Sequence, residues 1–197
     1  MDRFDRALLY ILFPVVLASS LASQKHQKHL HYVVSDGETL SSIAKINNIS
    51  LETIMKENPD IENTNAIYKG QKLRIPSQES LPKAPKGYAY WGTVGAKLTG
   101  YDPSEVSCGK YANGLTSIKD NAYVFDGIAA DPKAVPYRSK VYIDGIGFKE
   151  VDDTGRAMRE SWRKGKYHFD IRFSTVKKAN QFGVKKKKAH IFRKIPR

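Results

Sequence analysis

One cysteine, Cys108, stands among 197 residues, so no internal disulfide can brace this chain. That leaves Cys108 as a buried small hydrophobe, half of an intermolecular bridge or a reactive nucleophile, and burial is the expectation. A cysteine-rich metal cluster is excluded with it. His26, His29 and His31 lie in a Lys- and Gln-rich stretch that reads as a solvated basic arm rather than a metal site. Neither a metal nor a cofactor is expected. Also lacking is a long apolar run. Ala7 to Ala18 falls short of the roughly 20 residues that span a bilayer as a helix, and Pro14 interrupts it. Acidic residues are scarce, with 20 Asp and Glu against 33 Lys and Arg, and the resulting net charge of +13 favours polyanionic surroundings. The hydrophobic fraction of 41% is that of a folded protein, with room for two small domains.

Arg3 and Arg6 precede the apolar run, and Ser20-Leu21-Ala22 supplies the small residues a signal peptidase accepts. Residues 1–22 therefore read as a cleaved secretory signal. The expected location is the periplasm or the cell wall and extracellular space, with no stable membrane span after cleavage.

Ser77 to Gly87 is polar and holds two prolines, Pro82 and Pro85, which suits a linker over 77–88. Before it, Tyr32-Val33-Val34 reads as a strand ending at Ser35-Asp36-Gly37. Asp36 is positioned to cap a helix in which Leu40, Ile43 and Ala44 share one face. Ser50 caps a second helix with Leu51, Ile54 and Met55 on its apolar side, and Asn58-Pro59 stops it. Lys69-Gly70-Gln71 then turns into the alternating strand Leu73-Arg74-Ile75. The order is strand, helix, helix, strand.

Asp36-Gly37-Glu38-Thr39-Leu40, Ile43-Ala44, Ile54, Asn58-Pro59 and Gly70-Gln71-Lys72-Leu73-Arg74-Ile75-Pro76 together resemble a LysM module over 31–76. The resemblance implies binding of N-acetylglucosamine chains between the loop before the first helix and the loop after the second. By position, Asp36, Gly37, Thr39 and Leu40 would line one side, and Asn58, Pro59 and Ile61 the other. A neutral acetamido sugar is suited by backbone hydrogen bonds and a small apolar surface. For Leu40, core packing is an equal alternative, and Asp36 has the alternative of serving only as a cap.

From Tyr88 onward, short segments rich in Tyr, Val, Ile and Gly predict a mainly β domain, with helices near Gly155 to Arg163 and, after a Ser174 cap, up to Phe182. In Tyr167 to Phe173, Tyr167, Phe169, Ile171 and Phe173 share one face of a strand, while His168, Asp170 and Arg172 share the other. On alternation alone, Asp170 reads as a surface carboxylate paired with Arg172 or His168.

Gly127-Ile128-Ala129-Ala130-Asp131-Pro132, Val135-Pro136, Val141-Tyr142-Ile143, Val151-Asp152-Asp153-Thr154-Gly155 and Phe169-Asp170-Ile171-Arg172-Phe173 occur in the order of the three-Asp domain. This second resemblance covers 89–192, and 193–197 form a basic end. It implies a double-psi β-barrel, related to the membrane-bound lytic transglycosylase A family and to resuscitation-factor-like wall proteins. The overall expectation is an α+β chain: a small βααβ module linked to a mainly β barrel. By position Asp170 would be the catalytic acid and base, Asp153 the neighbouring charge that keeps it protonated, and Asp131 a structural hydrogen-bonder. Arg156 departs from the pattern where relatives carry glycine, as does the Tyr137-Arg138-Ser139 stretch. Arg156, Arg163 or Arg172 beside Asp170 would weaken it as an acid. Trp162 has two readings, a sugar-stacking surface and core packing.

Lys185 to Lys188 and the cations around them read as a lysine-guarded strand edge attracted to an anionic wall. Phosphate binding suits such a run, but the signal and the sugar module argue against nucleic acid as a partner. The expected partner is peptidoglycan. Two classes of function remain: a lytic transglycosylase or, failing that, a glycosidase; and a wall-binding protein in which the aspartates are structural.

Overall fold

The computed structural model describes residues 29–77 and 81–195; the expected signal over 1–22, with His26, lies outside the described residues. The first module follows the expected order. Strand β1 (His29–Val33), helices α1 (Leu40–Ile46) and α2 (Leu51–Glu57) and strand β2 (Lys72–Pro76) succeed one another, and β1 pairs antiparallel with β2 from His29↔Pro76 to Val33↔Lys72. Leu40, Ile43, Ala44 and Ile54 pack from the helices onto Tyr32, Val34, Leu73 and Ile75. Each such aliphatic side chain stabilises the fold by about 1.5–3 kcal/mol.

The caps correct one expectation. Thr39, not Asp36, is the N-cap of α1, because its hydroxyl accepts from the Ser42 amide at 3.1 Å while the Ser42 hydroxyl accepts from the Thr39 amide at 3.0 Å. Asp36 stands outside the helix and is exposed. Ser50 caps α2 as expected, and Asn58 ends it.

The second unit is built on the long strand β3 (Tyr88–Tyr101). After it come helix α3 (Glu105–Cys108), strands β4 (Gly127–Ala129), β5 (Lys140–Ile143) and β6 (Gly147–Asp153), helix α4 (Arg156–Arg163), strand β7 (Tyr167–Arg172), helix α5 (Val176–Phe182) and strand β8 (Lys185–Lys194). The strands lie in the order β3-β7-β4-β6-β5-β8, and pairing of β8 with β3 closes them into a barrel. Leu98, Ile128, Val141, Ile143, Val151, Phe169, Ile171 and Ile191 fill it. The chain is thus a small helix–strand module followed by a mainly β barrel, as the pattern predicted.

The helices α4 and α5 fall where periodicity placed them, but Thr175 rather than Ser174 caps α5. Arg156 is the first residue of α4 and has no positive φ, so no glycine-only geometry falls there. Arg138 is different. Its φ is 67°, in the region glycine favours, and its guanidinium spans Asp120 at 2.5 Å and Glu150 at 2.8 Å. Lys185 to Lys188 pair with β3 alone, because β5 meets β8 only from Ala189 to Phe192. That half of β8 is an exposed edge, as the lysine run implied.

The two units share one sheet. Tyr32 of β1 pairs parallel with Tyr90 of β3, and the Trp91 indole donates to Glu38 Oε1 at 2.7 Å. Arg193 lies over the Trp91 ring at 3.9 Å and also donates to Glu38 Oε1 and Ser35 Oγ.

Candidate active cleft and sugar-binding module

Register brings the carboxylates together. Thr99 pairs with Asp170, Asp170 with Ala129, and Ala129 with Asp153, so one row crosses β3, β7, β4 and β6. Neighbouring strands lie about 4.8 Å apart, which sets the backbones of Asp170 and Asp153 roughly 10 Å apart with only a methyl group between them. A register shift between Ile128 and Ala129 is essential here. Without it, Ala129 would stand opposite Asp152 instead of Asp153.

The row opens into a cavity of about 660 Å³ whose walls include Tyr101, Cys108, Thr116, Asp153, Met158 and Asp170. Asp153 is fastened on every side. Its Oδ1 accepts from the Ser117 amide at 3.0 Å, the Ser117 hydroxyl at 2.5 Å and the Thr154 amide at 2.8 Å, and its Oδ2 from the Tyr101 hydroxyl at 2.8 Å.

Asp170 is held by one donor, the Thr99 hydroxyl at 2.7 Å. Burial pushes its carboxyl group above the ordinary carboxylate range; the Thr99 bond opposes this, the Asp153 charge adds to it and Lys97 opposes it weakly. Thr99 has a single proton. Since it donates to Asp170, it must accept from His168 Nε2 at 2.9 Å, which leaves His168 Nδ1 to accept from the Ser161 hydroxyl at 3.2 Å. Burial and Lys97 hold the His168 imidazole below its usual range, while a hydrogen bond to the Ala157 backbone opposes them.

The arginines do not quench the site. Arg172 is fully buried and bonded to Asp152, with its guanidinium carbon 6.0 Å from the Tyr101 ring centroid. The pairing of Asp170 with Arg172 or His168, read from alternation alone, gives way to the bond from Thr99. Arg156 stands at the mouth of the cleft, where it is exposed and meets Glu160 at 3.6 Å rather than Asp170, and Arg163 is exposed. Trp162 packs on Tyr167 with ring centroids 5.2 Å apart, which is the core reading of that residue. Cys108 is half-buried in the cleft wall, where burial and the charges of Asp153 and Asp102 push its thiol upward and so disfavour a nucleophilic thiolate. Asp131 is buried outside the cleft. Its side chain accepts from the Lys133 amide at 2.8 Å, and its carbonyl from Ala134 and Val135, as a turn-former does.

In the first module, Asp36, Gly37, Thr39 and Pro59 are exposed. Leu40, Ile61 and Asn58 are buried. Asn58 Nδ2 donates to the carbonyls of Ile54 and Arg74, both at 2.8 Å, and its Oδ1 accepts from the Arg74 amide at 2.7 Å, so this side chain ties α2 to β2.

Sequence reasoning missed Thr99, Tyr101 and Ser117, each brought to the aspartates by pairing or by a loop. It did place His168 on the face of Asp170, and that was the available signal.

Residues 32–76 match the LysM domain family. Over 46 residues, 23% of this chain, the sequence is 48% identical to an endolysin of Bacillus phage B103. The match spans 18% of the endolysin, well under two thirds of its length. The chain therefore carries a LysM domain, which indicates binding to peptidoglycan or chitin and a cell-wall or extracellular setting. No helix among the described residues is long and apolar enough to cross a membrane.

Proposed function

We propose that the barrel, residues 89–192, is a three-Asp domain of the double-psi type, and that the chain is an exported lytic transglycosylase acting on the glycan strands its LysM domain binds. In this reading residues 1–22 are the export signal, 77–88 join the domains and 193–197 form a basic end. The observation that carries it is the row Thr99, Asp170, Ala129 and Asp153 opening into the cleft, with the Asp170 carboxyl group held above its ordinary range by burial and by Asp153. An acid of that kind retains its proton nearer neutrality.

Protonated Asp170 donates to the oxygen linking N-acetylmuramic acid to N-acetylglucosamine as that bond breaks. The resulting carboxylate takes the proton of the muramic 6-hydroxyl, whose oxygen bonds to C1 and closes a 1,6-anhydro ring. No water enters, so Asp170 alone suffices as acid and base. Asp153, fixed by four donors, supplies field without moving. Asp131 holds its turn. On the sugar module, the exposed Asp36, Gly37 and Pro59, with Thr39, would meet the glycan, while Leu40, Asn58 and Ile61 support that surface from below.

A second reading has one observation in its favour: four donors on Asp153 are also what a structural aspartate collects, so the chain would bind wall without cutting it. Mass spectrometry of purified peptidoglycan after incubation decides. Anhydro-muropeptides that vanish with Asp170→Asn support lytic cleavage, reducing ends support hydrolysis, and an unchanged digest leaves wall binding alone.

A further inference from the structure

A second cavity, of about 520 Å³, opens on the barrel away from Asp170 and Asp153, neither of which lines it. Its floor is apolar, with Ile146, Ile171 and the ring pair Phe173 and Phe182, whose centroids lie 5.3 Å apart. Its rim carries Lys149 of β6, Lys178 of α5, and Lys185 and Lys187 of β8. Strands β6 and β8 and helix α5 thus bring lysines to one opening, and no Asp or Glu among the described residues lines it.

What holds these lysines matters more than their number. Lys149 Nζ donates to the Phe125 carbonyl at 2.8 Å, Lys187 Nζ to the Asp144 carbonyl at 2.8 Å, and Lys178 Nζ to the Ser174 hydroxyl at 3.0 Å. Lys185 Nζ sits over the Phe182 ring at 4.4 Å. All four acceptors are neutral. They position the ammonium groups but do not cancel their charge, unlike the carboxylates that neutralise Arg138 and Lys140 elsewhere on the barrel. Burial holds Lys149 below its ordinary range, with Asp126 opposing this and Arg172 adding to it.

From this we infer a binding site for a phosphodiester polymer in the lysine-rimmed cavity. The volume lies within the range of small-ligand sites, and separate ammonium groups can meet successive phosphates as point charges. The one guanidinium at the floor, Arg172, is already committed to Asp152. The apolar floor suits the carbon backbone between successive phosphates. A polyol phosphate of the wall and a nucleic acid share this linkage, and binding measurements separate them.

The full chain is titrated by calorimetry with poly(glycerol phosphate), a single-stranded oligonucleotide of equal phosphate count and poly-γ-glutamate. The triple variant Lys178→Gln, Lys185→Gln, Lys187→Gln is compared with a variant of equal charge loss at the exposed lysines 45, 164 and 166. We expect poly(glycerol phosphate) to bind at 0.15 M salt, the cavity variant to lose tenfold or more, and the control to lose under threefold. Amide exchange in β4 and β7, unchanged in the cavity variant, shows that the barrel is folded. The tighter of the two phosphodiesters identifies the source. Equal losses in both variants would reduce the effect to net charge and overturn the site. Poly-γ-glutamate binding as tightly as the phosphates, with the same dependence on the cavity lysines, overturns the phosphate assignment.

Discussion

Gly127 leaves open the space that the Arg172 guanidinium occupies: a β-carbon at 127 would overlap Arg172 Nη2 and crowd the carboxylate of Asp152. A methyl group there separates two buried, opposite charges. Gly127→Ala is expected to cost about 3–5 kcal/mol, the range for a buried pair broken on one side, measured by urea unfolding. Arg172→Met alone should be comparably damaging because Asp152 is left unpaired. Adding Asp152→Leu should recover most of the loss.

The raised Asp170 carboxyl sets a pH dependence of opposite sign to that of a salt-bridged aspartate. Its folded pKa lies above the unfolded value, so its contribution to stability is fully present below the unfolded pKa and is lost as pH rises through the folded one. Asp170→Asn removes that loss while retaining an oxygen for the Thr99 bond. Thermal unfolding from pH 3 to pH 8 should show the variant close to the wild type in acid and more stable near neutrality.

Thr99 links Asp170 to His168, and its hydroxyl opposes the upward push on the carboxyl group. Thr99→Val should therefore move the Asp170 midpoint further upward, read from its side-chain carboxyl carbon by NMR. The His168 Nε2 proton loses its acceptor at the same time, so the imidazole nitrogen shifts should also change. A midpoint that stays or falls would contradict the assigned direction of the bond.

Arg193 and Trp91 reach from the barrel to Glu38 in the loop that carries Asp36 and Gly37. A partly buried cation–π contact adds about 0.5–2 kcal/mol, and each lost bond to a charged partner about 1.5–3 kcal/mol before compensation. Arg193→Ala should lower stability by about 1–3 kcal/mol and speed amide exchange at 35–38 more than in β4 or β7.

Much of this was legible without coordinates. The LysM pattern is local: its caps, stripes and stop signals lie within a few residues of one another, so strand, helix, helix and strand could be placed in order. The strand around Asp170 and both later helices followed from periodicity. The exact caps did not, because Asp36 and Thr39, or Ser174 and Thr175, are chemically near-equivalent and only backbone geometry chooses between them.

The residue types determined which side of β7 carries Asp170, since alternation along a strand is a local property of the chain. Tertiary structure alone decided its neighbours. Thr99 and Asp153 reach it through strand pairings separated by long stretches of sequence, and a one-residue shift at Ala129 selects Asp153 over Asp152. Whether Arg172 would quench Asp170 or lie buried beside Gly127 was likewise a matter of register, because charge, burial and distance combine only once the barrel has closed.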